Sequence, residues 1–238
     1  MTTVWVTRAQ TGAARTAAGV EALGFRAIVA PLLQVRAVGA GPLDVSGAGA
    51  LAFTSVNGVE AFAARCAARD LPVYVVGAGT AAAAARAAFR QVTSAEGHVG
   101  DLARLIGQSR AGLRGPVVYP GPRQPAGDLA GALATLGVQT VKVAVYETVE
   151  AALSPDLLAL TSGVEAVLLH SPKAASVLTR LLRARPSPDL AAVCLSPAVA
   201  APLARLPLRG VWVAAAPSEQ ALLDALQAIA PRRPVGQD

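Results

Sequence analysis

Small, polar and basic residues follow the short apolar runs of this sequence and could bind an anionic ligand. They are Thr7, Arg8, Ser55, Asn57, Gly79, Thr80, Gly121, Arg123, Ser171, Lys173 and Ser196. In parallel α/β sheets, ligands bind at the carboxyl ends of strands, where loops lead into helix N-termini. Hydroxyl groups, cations and exposed helix amides at that edge attract carboxylate or phosphate. We therefore predict an anion-binding site; the alternative is that each Ser, Thr or Asn only caps its helix.

Tyr146 is the acid of greatest interest, because it lies in an extended run where one predicted unit gives way to the rest of the chain. The alternative for Tyr146 is a half-buried strand tyrosine. His98 and His170 have no partners at catalytic or metal-ligand spacing, so structural roles are expected for both. The predicted binding set contains no obvious nucleophile or base.

Several catalytic motifs do not occur in the sequence. It has no Gly-x-Ser-x-Gly elbow, GxxxxGK[ST] loop or HExxH helix, which removes the support for hydrolase, phosphoryl-transfer and zinc-protease classes. Residues 75–82 fit the dinucleotide pattern GxGxxA, but the equivalent residues 196–200 have no glycine, so a dinucleotide-dependent oxidoreductase is only a third alternative. Cys66 and Cys194 lie far apart without a CxxC or Cys/His cluster, and neither a metal site nor a disulfide is expected.

The composition is that of a globular protein. Hydrophobic types make up 53% and charged types 15% of the 238 residues, which is outside the disordered class. No stretch of about 20 apolar residues runs without charge, Pro or Gly clusters, so no bilayer span is expected. Residues 1–8 lack the pattern of a secretory signal, which favours the cytoplasm. The net charge of +6 favours an anionic partner, while 4% aromatic residues argues against nucleic acid.

Apolar runs alternate with Ala/Leu-rich stretches, which predicts an α/β fold with parallel strands. Strands are predicted at residues 4–6, 27–30, 50–53 and 73–76. A first helix is expected to run to Leu23, where Gly24 can adopt the left-handed conformation that ends a helix. A later helix, entered through residues 54–58, is expected to run to Arg69.

The second half of the chain repeats the layout of the first. Residues 4–25 align without a gap with residues 117–138 at an offset of 113, so that Val6 matches Tyr119 and Gly24 matches Gly137. Residues 53–56 correspond to 169–172 at an offset of 116. A period this long indicates two related domains and not a solenoid of short repeats.

Two extended, β-branched runs lie at equivalent places in the two halves, at residues 32–38 and 142–149. They could pair as a two-stranded linker between domains. Spacing alone makes it about as plausible that each is the last strand of its own βαβ unit.

Eight short motifs occur in a fixed order along the chain. They are VTR at 6–8, LG at 23–24, PL at 31–32, FTSVNGV at 53–59, VGAGTA at 76–81, YPGPR at 119–123, LG at 136–137 and VYET at 145–148. In this order and spacing, essentially the full chain resembles the uroporphyrinogen-III synthase family. The second half departs from the family pattern: Leu169-His170-Ser171 stands where Phe-Thr-Ser is usual, and residues 196–200 lack a usual Thr-Thr pair.

The resemblance implies a fold of two similar parallel-sheet α/β domains joined by a two-stranded β linker, with the substrate in a cleft between them. The chain would leave the first domain and later return to it. Residues 1–35 and 150–238 then form one domain and residues 38–147 the other. The linker strands then lie near 32–38 and 142–149.

The resemblance also implies an activity, the cyclisation of linear hydroxymethylbilane to uroporphyrinogen III with loss of water and inversion of ring D through a spiro intermediate. Because the pyrrole nitrogen supplies the electron push, the protein mainly positions the substrate and stabilises charge. No cofactor or metal is therefore expected. Tyr146 matches the tyrosine regarded as the proton donor to the leaving hydroxyl, and Arg8, Arg123 and Lys173 would face the substrate's carboxylates.

The implied partners are the substrate and, transiently, the preceding bilane-forming enzyme. A monomer is expected, and neither nucleic acid nor a membrane is an expected partner. The main alternative of another class is a non-catalytic two-domain protein that binds or senses an anionic small molecule.

Overall fold

The computed structural model describes residues 1–155, 159 and 161–229, apart from the side chains of Gln10 and Thr11. Residues 156–158, 160 and 230–238, which belong to the predicted first domain, lie outside the described residues. The chain forms two compact units, which are Met1–Gln34 with Val149–Asp238, here unit 1, and Val35–Thr148, here unit 2.

The described residues form strands and helices in alternation. The strands are β1 (Thr3–Val6), β2 (Arg26–Val29), β3 (Leu33–Ala37), β4 (Ala50–Phe53), β5 (Val73–Val75), β6 (Val92–Ser94), β7 (Val117–Pro122), β8 (Thr140–Glu150), β9 (Ala166–Leu169), β10 (Ala191–Cys194) and β11 (Gly210–Val213). The helices are α1 (Gln10–Ala22), α2 (Val56–Ala63), α3 (Ala78–Arg86), α4 (Val99–Gln108), α5 (Leu129–Thr135), α6 (Pro172–Ala184), α7 (Pro197–Ala200) and α8 (Glu219–Ile229). Among them, no helix is both long and apolar enough to cross a membrane.

The sheet of unit 1 has the strand order β11-β10-β9-β1-β2, and its neighbouring strands are parallel. Alternate side chains of the three inner strands, β10, β9 and β1, enter two different apolar clusters. Val4 and Val6 of β1 pack into one cluster, and Trp5 packs into the other. Such burial on both faces is typical of a parallel sheet covered by helices on each side, and it explains why the strands are continuous apolar runs.

The sheet of unit 2 has the order β3-β8-β7-β4-β5-β6, and the pairings from β8 to β6 are parallel. It too is buried on both faces: Ala50 and Ala52 of β4 enter one apolar cluster, while Leu51 and Phe53 enter the other. The predicted mixed α/β class with parallel sheets is therefore confirmed.

The repeat found in the sequence is also a repeat of structure. Starting from β2, the first sheet has the order β2-β1-β9-β10-β11. Starting from β8 and without β3, the second sheet has the corresponding order β8-β7-β4-β5-β6. Helices α1 and α5 end alike, because Gly24 and Gly137 have φ of +81° and +71°. In both, the N–H of the residue after the glycine donates to a carbonyl of the last helical turns. Phe25 N–H donates to Val20 O at 3.3 Å and Val138 N–H donates to Leu133 O at 3.0 Å, as in a Schellman motif.

The two repeats do not coincide with the two units. The first repeat supplies β1 and β2 to unit 1 but β4, β5 and β6 to unit 2. The second repeat supplies β7 and β8 to unit 2 and β9, β10 and β11 to unit 1. Each sheet is therefore assembled from both repeats.

Helix α2 is shorter than predicted, since it ends at Ala63 and does not reach Arg69. The Arg69 guanidinium donates hydrogen bonds to carbonyl groups at that end, to Ala63 O at 3.2 Å and to Cys66 O at 2.6 Å. It also bonds Ala87 O at 2.6 Å and lies over the Phe89 ring, 4.8 Å from its centroid. These contacts satisfy carbonyls that another helical turn would have used.

Strands β3 and β8 are neighbours in the sheet. The Val38 N–H donates to Val145 O at 2.9 Å, and the Ala151 N–H donates to Leu32 O at 3.0 Å. Because rising numbers in one strand meet falling numbers in the other, the pairing is antiparallel. The first part of β8 thus pairs in parallel with β7, and its later part pairs antiparallel with β3.

Candidate functional site

A cavity of about 280 Å³ lies in unit 2 at the carboxyl ends of β4 and β7 and beside the later part of β8. It is lined by Thr54, Ser55, Val99, Tyr119, Pro122, Gln124, Pro125, Ala126, Gly127, Tyr146 and Thr148. Two predicted site residues, Ser55 and Tyr146, meet in this lining. The other predicted site residues are not among the described residues that line it.

Ser55 joins the start of a helix to the phenol of Tyr146. Its Oγ accepts a hydrogen bond from the Gly58 N–H at 3.1 Å and so caps α2. The same Oγ lies 2.9 Å from the Tyr146 hydroxyl. Either hydroxyl can be the donor in this pair, and when the serine O–H donates to the phenol oxygen, Oγ still accepts the Gly58 N–H. The phenol proton is then available to a ligand in the cavity.

A bulge between β7 and β8 positions Tyr146. Gly121 is paired with Ala144, but the next residue of β7, Pro122, is paired with Tyr146, so Val145 is an extra residue in β8. Such an insertion turns the following side chain to a new direction. Strand β7 continues through Pro122, and Gly121 therefore lies inside the strand, whereas the sequence predicted a loop there.

A second hydroxyl pair lines the same cavity. The Tyr119 hydroxyl lies 3.0 Å from Thr54 Oγ1. Thr54 immediately precedes Ser55, so the end of β4 presents one hydroxyl to each of two phenols. Neither Thr54 nor Tyr119 belongs to the predicted site. The sequence feature that could have indicated Tyr119 is that a tyrosine occupies the strand position where the first repeat has Val6.

Burial controls the charge of both phenols. It raises the pKa of Tyr146 above the ordinary value of 10.0, the bond to Ser55 opposes this, and nearby Tyr119 adds to the rise. Burial likewise raises the pKa of Tyr119, against the effect of its bond to Thr54. Both tyrosines therefore carry their protons at neutral pH and act as donors.

Glu147, next to Tyr146, binds two arginines. Its Oε1 accepts bonds from Arg36 Nε at 3.0 Å and Nη2 at 2.6 Å, and its Oε2 lies 3.1 Å from Arg123 Nε. The backbone N–H of Arg123 also donates to Tyr146 O at 2.8 Å. The predicted binding residue Arg123 is thus tied to the strand that carries Tyr146. Its side chain stays 58% exposed, which leaves guanidinium donors for a carboxylate.

In unit 1, the predicted residues Thr7 and Arg8 are bonded within the fold. Thr7 is buried, and its Oγ1 donates to Leu168 O at 2.6 Å. Arg8 Nη1 forms an ion pair with Glu219 Oε2 at 2.8 Å, and the arginine side chain is only 28% exposed. The cation at this strand end is therefore already neutralised by a carboxylate.

His170, for which the sequence predicts a structural role, has a charged neighbour. Its Nε2 lies 3.3 Å from Glu219 Oε2, yet neither ring nitrogen makes a well-directed hydrogen bond to the described residues. Burial lowers the pKa of His170, nearby Arg8 lowers it further, and Glu219 opposes both. The imidazole is therefore neutral near pH 7.

The remaining predicted residues stand at the beginnings of helices. Asn57 lies in the first turn of α2, and Gly79 and Thr80 lie in the first turn of α3, where Thr80 is buried.

In unit 1, Ser171 caps α6 by accepting the Ala174 N–H at 3.2 Å, and Lys173 is exposed in the first turn of that helix. Ser196 precedes α7, and its side chain makes no capping bond there.

The cysteines are buried free thiols, and burial raises the pKa of Cys194 to about 12. Within the described ranges, no group of three His, Cys, Asp or Glu side chains is placed to hold a metal ion.

Comparison with known proteins gives one family. The sequence matches the family described as "Uroporphyrinogen-III synthase HemD" over residues 14–224. No curated protein sequence matches it significantly. The fold is similar to the crystal structure of uroporphyrinogen-III synthetase from Helicobacter pylori, with 16% identity and a TM-score of 0.68 over 97% of this chain and 100% of that one. It is also similar to a mutant uroporphyrinogen III synthase from Thermus thermophilus, with 16% identity and a TM-score of 0.51 over 96% of this chain and 97% of that one.

At this identity, the likeness to the solved structures speaks for the fold alone. The family match is independent of it and includes the ends of β4 and β7 and the residue Tyr146. It confirms the resemblance carried by the short motifs. The chain therefore belongs to the uroporphyrinogen-III synthase family.

Proposed function

We propose that this chain cyclises hydroxymethylbilane to uroporphyrinogen III and that Tyr146 gives a proton to the hydroxyl group that leaves the substrate. One observation carries the role of Tyr146: a buried, protonated phenol lines a cavity at strand ends in a member of this family. The reaction loses water and inverts ring D through a spiro intermediate, as the resemblance implied.

The first step breaks the C–O bond of the hydroxymethyl group. The lone pair of the pyrrole nitrogen forms the azafulvene, and the oxygen leaves as water once a proton reaches it. Because its pKa is raised, Tyr146 keeps this proton until the substrate arrives. After ring closure, the last bonded pyrrole carbon loses a proton, which restores the phenol, so the net loss is one water.

Ser55 supports the phenol in this step. When Tyr146 transfers its proton, negative charge develops on an oxygen 2.9 Å from Ser55 Oγ. A serine O–H held by the helix cap stabilises that charge without having to reorient, which is the advantage of a preorganised donor. Ser55 therefore acts on the reaction through Tyr146.

The other predicted residues are proposed to bind or frame the substrate. Arg123 has the strongest support, because its exposed guanidinium lies beside the strand of Tyr146. The residues at helix starts offer amides, hydroxyls or a cation to carboxylates. They are Asn57, Gly79, Thr80, Ser171, Lys173 and Ser196. Thr7 and Arg8 act by holding a strand end, since their polar groups are bonded within unit 1.

The proposal extends to organisation and location. We assign domains 1–35 with 150–238 and 38–147, supported by the compact units, and linker strands near 32–38 and 142–149, supported by the β3–β8 pairing. The chain is proposed to act as a monomer in the cytoplasm, where buried free thiols such as Cys66 and Cys194 persist. It would receive its substrate through transient contact with the preceding bilane-forming enzyme.

A coupled assay tests the activity. Hydroxymethylbilane is supplied, the products are oxidised to porphyrins, and the ratio of isomer III to isomer I is measured by chromatography. Type III product that depends on the protein supports the proposal. Type I product alone, as in the uncatalysed closure, would reject it.

Replacing Tyr146 by Phe tests the proton donor. We expect turnover to fall by less than the 10²-fold or so that losing a sole general acid costs, because the pyrrole nitrogen still drives the departure. Tyr74→Phe is the matched control, since Tyr74 lies in the same sheet outside the cavity lining. Wild-type turnover in Tyr146→Phe would remove this tyrosine from the mechanism.

A further inference from the structure

The cavity of unit 2 contains two phenols in equivalent settings. Tyr119 and Tyr146 each meet a hydroxyl from the end of β4, at 3.0 Å for Thr54 and 2.9 Å for Ser55. Both phenols are buried, with 2% and 6% of the residue exposed. The function proposed above uses only Tyr146, which leaves the role of Tyr119 open.

No other acid competes with these phenols in the cavity. Among the described residues that line it, Tyr119 and Tyr146 alone carry an ionisable side chain. The rest are apolar residues, glycine, proline, hydroxyl residues and Gln124. A proton that reaches a substrate directly from this lining therefore comes from one of two phenols.

The two phenols also lie close enough to influence each other. A charge on Tyr119 raises the pKa of Tyr146. The loss of the Tyr119 proton therefore makes the loss of the Tyr146 proton harder.

The backbone keeps space for the Tyr119 ring. A Cβ built on Gly121 would lie 2.8 Å from two ring carbons of Tyr119 and 3.0 Å from its hydroxyl oxygen. Residues 119 and 121 lie on the same side of β7, so only glycine at 121 lets the phenol fold back along the strand. Gly121, which the sequence predicts as a binding residue, thus leaves the space that the Tyr119 ring and hydroxyl occupy.

We propose that Tyr119 is a second proton donor of this cavity, able to replace Tyr146 in protonating the hydroxyl group that leaves the substrate. The inference rests on the proposed function of Tyr146. In the step, the Tyr119 O–H bond breaks and its proton joins the leaving oxygen. The C–O bond electrons depart with water, and the pyrrole nitrogen lone pair forms the new double bond. Thr54 donates to the tyrosinate, which regains its proton from the pyrrole carbon after closure.

A double-mutant experiment with full-length protein tests the exchange of roles. The kcat for type III product is measured for Tyr119→Phe, Tyr146→Phe, the double variant and the control Tyr74→Phe. Each single variant should lose less than about tenfold, while the double variant should lose about 10²-fold or more, the usual contribution of general acid catalysis. Its loss should exceed the product of the two single losses, with KM little changed.

The pH profile separates donation from a structural role. The alkaline fall of kcat should persist in each single variant, because one phenol must still hold its proton, and should disappear in the double variant. Gly121→Ala, made in the Tyr146→Phe background, should lower kcat further, whereas Gly112→Ala, with open space at its Cβ, should not. Equal kcat in the double variant and Tyr146→Phe, or losses that only multiply, would overturn the role of Tyr119. If wild type made no type III product, the proposed function itself would fail.

Discussion

Replacing Ser55 by Ala removes two interactions at once, and the structure allows the cost of each to be estimated. Loss of the bond from the Gly58 N–H uncaps α2, which costs about 1 kcal/mol. Loss of the 2.9 Å bond to Tyr146 costs about 1 kcal/mol more, the net worth of an ordinary hydrogen bond. The free energy of unfolding of unit 2 should therefore fall by about 2 kcal/mol.

Ser171→Ala is the matched control, because Ser171 caps α6 at the equivalent place of the repeat. All three tyrosines belong to unit 2, so no phenol of unit 1 accompanies this cap. Only the cap is lost, so unit 1 should lose about 1 kcal/mol.

The chain provides separate optical probes for the two units. Its tryptophans, Trp5 and Trp212, belong to unit 1, and its three tyrosines belong to unit 2. Denaturant unfolding followed by tryptophan fluorescence and by tyrosine absorbance should therefore show the Ser171 effect mainly in the first signal and the Ser55 effect mainly in the second.

A double-mutant cycle isolates the bond between Ser55 and Tyr146. Ser55→Ala, Tyr146→Phe and the double variant should give a coupling free energy of about 0.5–1.5 kcal/mol. Coupling below about 0.3 kcal/mol, within the scatter of independent sites, would refute the view that Ser55 holds the phenol.

Three further changes test other parts of the fold. Burial lowers the pKa of His170 below its ordinary value of 6.5. As the pH falls below that value, His170 is therefore protonated more readily in the unfolded chain than in the folded one. Unit 1 should therefore lose stability as the pH falls below about 6.5, and His170→Gln, but not the control His98→Gln, should flatten that profile. Gly24→Ala and Gly137→Ala should each cost about 1–2 kcal/mol, in the tryptophan and tyrosine signals respectively, since both need a positive φ. Cys194, with its pKa raised to about 12, should resist iodoacetamide at pH 8 until the protein unfolds.

The strands could be predicted because they are buried on both faces. Residues 50–53 were predicted as a strand and form β4 with the same bounds. A continuous apolar run between turn residues is the direct mark of a strand covered by helices on each side. The C-caps Leu23 and Leu136 are each followed by a glycine whose positive φ is an equally local signal.

Features that depend on distant side chains could not be predicted. Nothing in the sequence near Ala63 shows that Arg69 will bond its carbonyl and end α2. The pairing of Arg36 with Glu147 joins residues 111 positions apart. Such contacts depend on strand register, which hydrophobic spacing does not determine across separate strands.

The same limit explains why only half of the hydroxyl site was foreseen. Ser55, Tyr119 and Tyr146 all lie in motifs that resemble the family, but the contact between Tyr119 and Thr54 could be placed only once β4 and β7 were known to be neighbours. The Val145 bulge adds to this, because one extra residue changes the direction of Tyr146. A sequence pattern of period two does not show such an insertion.

The repeat then accounts for where the chemistry lies. Both units keep the same strand order, yet the carboxyl edges of their sheets have diverged. The position equivalent to Tyr119 is Val6, unit 1 has no tyrosine in its sequence, and His170 stands where unit 2 has Thr54. At that edge of unit 1, Arg8 and Glu219 neutralise each other in an ion pair. Because proton donation needs an acid that keeps its proton at neutral pH, both of the proposed donors, Tyr119 and Tyr146, lie in unit 2.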